Sequence, residues 1–355
     1  MAYGARAACL IEDNVNGLTR QPDLGRKRAM TSDGKVEIVF IGAGNLSTKF
    51  HYPSLADMPD VTINAVCDLI VEKAERNATQ FGIPSVYTDY KEMLEKESYD
   101  AVYIVMPPQD SFNLLYDCLN RGLHTFSEKP PTVTAFQTKV LAELATKNGC
   151  ITQIGFQRKH VPLMKKMRAM VEERGPIDQF FSEFIKQSPK AGLYYNGRID
   201  ILTCDAIHMV DTALWMGDES MPDVASVARQ SYTDQNVKFN ALMSFANGTS
   251  GFFSATWNSG RRHLAAAMHG QNCCALVDLE KEGTYYDPEH PDGITVTAQE
   301  AAGSDKDYRM LGFYDENREF IEAVRAGDHG LTQSSFQKSV RTMEVVEKIL
   351  QSSMG

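Results

Sequence analysis

No apolar run approaches the roughly 18 residues that a membrane-spanning helix needs, so the chain is not expected to cross a bilayer. The opening "MAYGARAACLIEDN" has one arginine and too short an apolar core for a secretory signal, and its acidic residues argue against a transit peptide. A basic stripe is missing as well. Short pairs such as Arg261-Arg262 stand against a formal charge of -10, which disfavours broad binding to a nucleic-acid backbone. The seven cysteines, Cys9, Cys67, Cys118, Cys150, Cys204, Cys273 and Cys274, are odd in number and contain no Cys-x-x-Cys pair. They imply neither a disulfide framework nor a structural zinc cluster, and are read as reduced, mostly buried thiols of a cytoplasmic protein. Repeats and low-complexity tracts are absent.

What is present describes a folded protein: 43% apolar and 23% charged residues in a chain of 355, long enough for two domains. Residues 1–35, with "QPDLGRKR" and "TSDGK", show no sustained periodicity and are expected to form an extension, mobile or lying along another surface. From Val36 to about Gly155, strand-like runs alternate with helical ones: "VEIVFI", "VTINAVCD", "PSVY", "DAVYIVMPP" and "LHTFSEK", separated by amphipathic segments. That alternation predicts βαβ units and a mostly parallel sheet in residues 36–155. After Gly155 come helical "VPLMKKMRAMVEE", then a helix around "ILTCDAIHMVDTALWMG". A series of β-like runs follows from Asp223 to about Thr297, with an Asn-Gly hairpin signal in "FANGTSG". Residues 156–355 are therefore expected to form an α+β domain with a large open mixed or antiparallel sheet, one face covered by helices. Two closing helices, near Met310–Ala326 and Ser334–Leu350, are expected to cover that sheet or return to the first domain.

In "IGAGNLS" the first strand runs straight into Gly42-Ala43-Gly44. Gly42 permits a tight turn, and Gly44 removes a side chain where a pyrophosphate would approach. The following helix start, Asn45, Leu46 and Ser47, offers unpaired amides to the anion. The alternative is a plain packing turn, and Ser47 stands where a third glycine often sits. Asp68, ending the next strand, is placed to accept ribose hydroxyls or to cap the helix that follows it. A carboxylate there repels a 2′-phosphate, so NAD is expected in preference to NADP.

"HTFSEKPPT" puts Glu128 and Lys129 before two prolines at a strand end, where open α/β folds bind ligands. The prolines restrict Lys129 to an extended backbone, with a cis proline bond allowed. Its ammonium then emerges in a fixed direction to orient a substrate oxygen, and Glu128 is expected to partner the lysine or a cofactor group. A surface ion pair is the alternative. In "ILTCDAIHMVD", an α-helix at about 100 degrees per residue places Cys204, His208 and Asp211 within about 60 degrees of arc, with Asp205 alongside. Carboxylates flanking His208 are expected to fix its tautomer and raise its pKa, as a general base near neutrality requires; a buried structural histidine is the alternative. Pro107 and Gln109 follow another strand. Secondary candidates are Gln157, Arg158, Lys159 and His160 in "GFQRKH", and Tyr194, Tyr195 and Arg198 in "GLYYNGRID". Trp257, Arg261, Arg262 and His263 in "WNSGRRH" complete the set. Each is equally explained as a solvated or interface side chain. No metal site is expected.

The ordered series "IGAGNLSTKFHYPSL", "AVCD", "YTDYKEML", "DAVYIVMPP", "GLHTFSEKPPTVT", "GFQRKHVP" and "DAIHMVDTALWMG" resembles the glucose-fructose oxidoreductase and inositol dehydrogenase family from about Val36 to the end. The resemblance implies a Rossmann domain followed by an open mixed sheet, and hydride transfer between a sugar or polyol and NAD or NADP. It also implies Lys129 as catalytic lysine, His208 as proton-transfer residue and a homodimer or homotetramer formed through the large sheet. Two alternatives stand beside that activity: a hydrolase or lyase that oxidises its glycoside only transiently, and a non-catalytic NAD-binding protein. Two departures stand out. The acid often found four residues before the histidine falls at Cys204, leaving Asp205 three before, and "MPPQDS" carries Gln109 and Ser111 where many members have asparagine or histidine.

Overall fold

The computed structural model describes residues 34–187, 194–218, 220–231 and 237–352. All but the last two residues of the expected extension therefore lie outside the described residues. No helix among the described residues is long and apolar enough to cross a membrane.

Six parallel strands form the first sheet: β1 (Val36–Ile41), β2 (Val61–Cys67), β3 (Ser85–Tyr87), β4 (Ala101–Ile104), β5 (His124–Ser127) and β6 (Thr152–Ile154). Their order is β3-β2-β1-β4-β5-β6, so the chain winds outward in opposite directions from β1 and β4. Burial on both faces explains why β1 and β4 read as nearly continuous apolar runs. On one face Phe40, Tyr103 and Phe126 stack across three strands, with ring centroids 5.4 and 4.7 Å apart. Phe320, from the helix Phe313–Ala326, packs edge-on to Tyr103 and Phe126. That helix thus lies on the first sheet although it comes from the end of the chain. Arg318 and Arg325 fasten it further through Asp60. The last helix, Phe336–Ser352, packs between Ala135–Lys147 and Ile207–Met216.

The second sheet contains β7 (Gln179–Ile185), β8 (Asp223–Ser231), β9 (Val237–Ser244), β10 (Ser250–Thr256), β11 (His263–Gly270), β12 (Cys273–Asp278), β13 (Glu282–Asp287) and β14 (His290–Thr297). Its order is β14-β13-β12-β11-β7-β10-β9-β8; β7 and β10 pair in parallel and every other neighbour is antiparallel. The hairpin at Asn247-Gly248 joins β9 to β10 as expected, Gly248 taking a φ of 91°. β13 is a strand the sequence reading passed over, because "EGTYYD" is short and polar at both ends. Alternation decides the faces: Phe180, Ser182 and Phe184 are buried towards the helices Pro162–Glu172 and Ile207–Met216. The opposite face carries an apolar row in register, Leu276, Ala267, Phe181, Phe252 and Leu242, of which Leu276, Phe181 and Leu242 are exposed.

Candidate active site

The crevice beyond the carboxyl ends of β1 and β4 is where the winding reverses, and there the backbone is closely fitted. Gly42 has a φ of 110°, and a Cβ on it would lie 2.0 Å from the Val105 carbonyl oxygen, so only glycine fits. A Cβ on Gly44, by contrast, would meet nothing within 4 Å, leaving open space above the turn. Asp68 serves two backbone groups at once. Its Oδ2 accepts from the Ala43 amide at 2.7 Å and its Oδ1 from the Ile70 amide at 2.9 Å. It therefore braces the glycine turn and caps the chain beyond β2, and each oxygen keeps a second lone pair. Leu69 and Ile70 beside it are exposed apolar side chains.

The helix after the turn is not regular. Ser47–His51 is a π-helical segment and Tyr52–Ala56 is α-helical. Asn45 and Leu46 are exposed, while Ser47 is buried and its Oγ has no hydrogen-bond partner. The π segment turns His51 inward, where its Nε2 lies 2.9 Å from Glu128 Oε1. Glu128 Oε2 accepts from the Lys129 amide at 3.0 Å. Glu128 thus partners His51 and the lysine's backbone rather than its ammonium. The space for it exists because residue 155 is glycine: a Cβ there would lie 2.7 Å from Glu128 Oε1. Glu316 lies in the same buried cluster with both oxygens unpartnered. Burial, then Glu128 and Glu319, push its carboxyl well above the usual range. On the next strand end, Pro107 precedes the helix Pro108–Asn120, and Gln109 donates to Asp110 at 2.8 Å while its own Oε1 is buried without a donor.

Lys129 precedes a cis proline bond to Pro130 and is half-buried. Its ammonium donates to the Cys204 carbonyl at 3.1 Å. Cys204 belongs to a second π-helical segment, Leu202–Ala206, which runs into the α-helix Ile207–Met216 carrying His208. The lysine loop and the His208 helix are thereby brought together.

The expected carboxylate partners of His208 are engaged elsewhere, which corrects the sequence reading. The wider π turn breaks the uniform 100-degree spacing between Asp205 and His208, while Asp211, in regular helix with His208, is drawn to other partners. Asp205 grips Lys186 at 2.6 and 2.8 Å and accepts from Trp257 Nε1 at 3.0 Å. Asp211 pairs with Lys159 at 3.0 Å and accepts from Thr342 at 3.1 Å. His208 Nδ1 is buried with no partner. Its pKa is not raised but held well below the ordinary value, first by burial, then by Lys129, Arg158, Lys186 and Arg262. At neutral pH it is an uncharged imidazole in a field of cations. Burial works against the Asp205 carboxylate, but Lys186, Lys129 and Trp257 outweigh it and hold its pKa below the usual range.

The secondary candidates divide. Arg158 is buried; its NH2 is 3.7 Å from Glu280, its Nε and NH1 have no acceptor, and burial pushes its pKa down to about 10. Arg262 forks onto the same Glu280 at 2.7 and 3.0 Å. Gln157 is buried in the same short helix, while His160 lies 3.8 Å from Glu319. Tyr195 and Asn196 hold left-handed backbones, φ 47° and 57°, in a turn where Tyr195 and Arg198 are exposed. The Tyr194 side chain lies outside the described residues. Arg261 is exposed, and His263 is 3.3 Å from Asp278. His51, Lys186, Glu280 and Glu316 went unnoticed in the sequence. Lys186, a cation ending an apolar strand, carried the one available signal; the others meet their partners only through the fold.

Residues 36–156 match the model of GFO_IDH_MocA, described as an oxidoreductase family with an NAD-binding Rossmann fold. That match covers the first sheet and its crevice, about a third of the chain. The chain is similar to the D-glucoside 3-dehydrogenase of Escherichia coli (strain K12), 27% identical over 213 residues, covering 58% of this chain and 60% of that enzyme. It is also similar to the scyllo-inositol 2-dehydrogenase (NADP(+)) IolU of Bacillus subtilis (strain 168), 23% identical over 46% of this chain and 50% of the relative. The matches thus span about half to three-fifths of these relatives' lengths. A crystal structure of a dehydrogenase from Chromobacterium violaceum aligns with a TM-score of 0.80 at 23% identity, covering 90% of this chain and 96% of that one, a likeness of fold. The family model is described as NAD-binding while IolU is named for NADP(+), so the likeness alone does not choose between the two cofactors.

Proposed function

We propose that the chain is an oxidoreductase that moves a hydride between a secondary hydroxyl or ketone of a sugar or polyol and a nicotinamide dinucleotide, with NAD preferred. The observation that carries this reading is the tie between the Lys129 ammonium and the π turn entering the His208 helix. It sets a cation and an uncharged imidazole beside the glycine-turn crevice.

The residues suit such a cofactor. Open space over Gly44, the spare lone pairs of Asp68 and the bare apolar surface of Leu69 and Ile70 match a pyrophosphate, a ribose and an adenine respectively. Asn45, Leu46 and Ser47 complete the phosphate side; Pro107, Gln109 and Glu128 border the nicotinamide side. The dinucleotide supplies the hydride acceptor. The chain supplies orientation and proton handling. His208, neutral in its cationic surroundings, takes the hydroxyl proton on its imidazole. Lys129 stabilises the negative charge developing on the same oxygen. Asp205 and Asp211 act as positioning residues, fixing Lys186 and Lys159 around the helix. Arg158, Tyr195 and Arg198 border the substrate.

The apolar row on the open face of the second sheet supports a homodimer or homotetramer assembled through that face. Buried free thiols at Cys67, Cys118, Cys150, Cys204 and Cys273 suit a reducing, cytoplasmic setting.

The test is a screen of sugars, polyols and glycosides against protein stripped of nucleotide and reloaded with NAD, reading NADH absorbance and sugar products together. The proposal expects NADH to accumulate with a polyol or sugar. Glycoside cleavage without NADH would transfer the assignment to a redox-assisted hydrolase or lyase, and silence across the panel to a binding protein.

A further inference from the structure

Away from the crevice, a cavity of about 460 Å³ opens between the helix Pro162–Glu172, the end of Ile207–Met216 and the start of Phe336–Ser352. Such a volume holds a small metabolite. Five basic side chains line it, Lys159, Lys165, Arg168, Lys338 and Arg341, against two acids, Glu172 and Asp218.

Pairing within the fold uses up part of that charge. Lys159 is neutralised by Asp211 and Lys165 by Asp315, at 3.0 and 3.2 Å. Arg168 holds Glu172 at 2.8 Å, donates to the Trp215 carbonyl at 2.7 Å and lies over the Trp215 ring. Asp218 is taken by the backbone amides of Ser220 and Asn247. Lys338 is left without a carboxylate, and Arg341 meets Asp218 only through its field, which helps to hold that carboxyl below its usual range. Lys338 reaches only the Thr332 carbonyl, at 3.0 Å. Arg341 forms no hydrogen bond or ion pair with any described residue, and its Nε is buried without an acceptor. A buried guanidinium N–H with no acceptor is destabilising unless a ligand or water supplies one.

We propose that this cavity binds the phosphate group of a small phosphate monoester, with Arg341 presenting its planar fork and Lys338 a second positive charge. A monoester carries about 1.5 to 2 negative charges at neutral pH, suited to Lys338 and to an Arg341 fork that no side chain hydrogen-bonds. The lysines held by Asp211 and Asp315 add a positive field without competing for the ligand's oxygens. The site does not depend on the redox reading, because none of its groups touches the glycine turn or Lys129.

Calorimetric titration of the full chain with glucose 6-phosphate, inorganic phosphate and glucose tests it. Glucose 6-phosphate and phosphate are expected to bind, glucose not to bind at this site, and binding to weaken as salt rises. Arg341→Ala and Lys338→Ala each weaken binding by about tenfold or more, with Arg341→Lys intermediate. Lys129→Ala leaves it unchanged, which separates this cavity from the crevice. Thermal melts of each variant confirm that the fold persists. Absence of binding in the wild type, or binding that survives both Arg341→Ala and Lys338→Ala, overturns the proposal. So does binding abolished by Lys129→Ala.

Discussion

The Lys129 ammonium and the Cys204 carbonyl oxygen are 3.1 Å apart, although 75 residues separate them in sequence. Through this bond the loop after β5 is tied to the turn that leads into His208, and the proposed chemistry depends on that tie. Replacing Lys129 with methionine preserves the stem and removes the charge. Turnover is expected to fall by about 100-fold or more, as when a group stabilising transition-state charge is lost. Measurement at matched cofactor occupancy, with a melting curve beside it, separates a chemical defect from an unfolding one.

His208 is predicted to titrate below its ordinary pKa, with a defined response to mutation. Burial is the first cause, and Lys129, Arg158, Lys186 and Arg262 add to it. Because the native imidazole resists a proton that the unfolded chain accepts, stability is lost as pH falls below about 6.5. NMR titration of the imidazole should give a wild-type value below the ordinary one and an upward move in Lys129→Met. An unmoved value would show that the ammonium does not act on this ring.

Asp205 is buried between Lys186 and Trp257. Asp205→Ala leaves a half-buried ammonium and an indole N–H without their acceptor and is expected to cost about 3 kcal/mol in denaturant unfolding. Asp205→Asn keeps one acceptor oxygen and should cost less. Equal stability of all three proteins would mean that the pair contributes nothing net.

The two turn glycines should fail differently. Gly42→Ala drives a methyl group into the Val105 carbonyl and requires a φ that alanine rarely adopts, so folding itself suffers. Gly44→Ala meets open space, so the melting temperature should hold while dinucleotide affinity falls by about tenfold. Calorimetric binding of NAD and NADP to Gly44→Ala and the wild type checks this, and also measures the preference attributed to Asp68.

Most of the fold was legible because its information is local. Short apolar runs mark β1 through β5 and period-3.6 patterns the long helices, and the Gly42-Ala43-Gly44 turn announces itself through glycine chemistry. Lys129 could be singled out by the strand before it and the prolines after it. What was illegible depends on contacts between distant segments. His51 is only one histidine on a helix until Glu128 is folded against it. The partners of Asp205 and Asp211 lie just past the ends of β7 and β10, on the short helix at Lys159 and on the last helix. A uniform helical wheel could not anticipate the π turn at Leu202–Ala206, and it assigned those carboxylates to His208 for want of visible competitors.

The most direct test of the central claim is single-turnover hydride transfer, followed by NADH absorbance, in NAD-loaded wild type, Lys129→Met and His208→Asn with a substrate found by the screen. Wild-type protein should show a fast rise in absorbance, and both variants a chemical step slowed by about 100-fold or more at unchanged NAD occupancy. A chemical step of normal rate in both variants would contradict the roles given to Lys129 and His208.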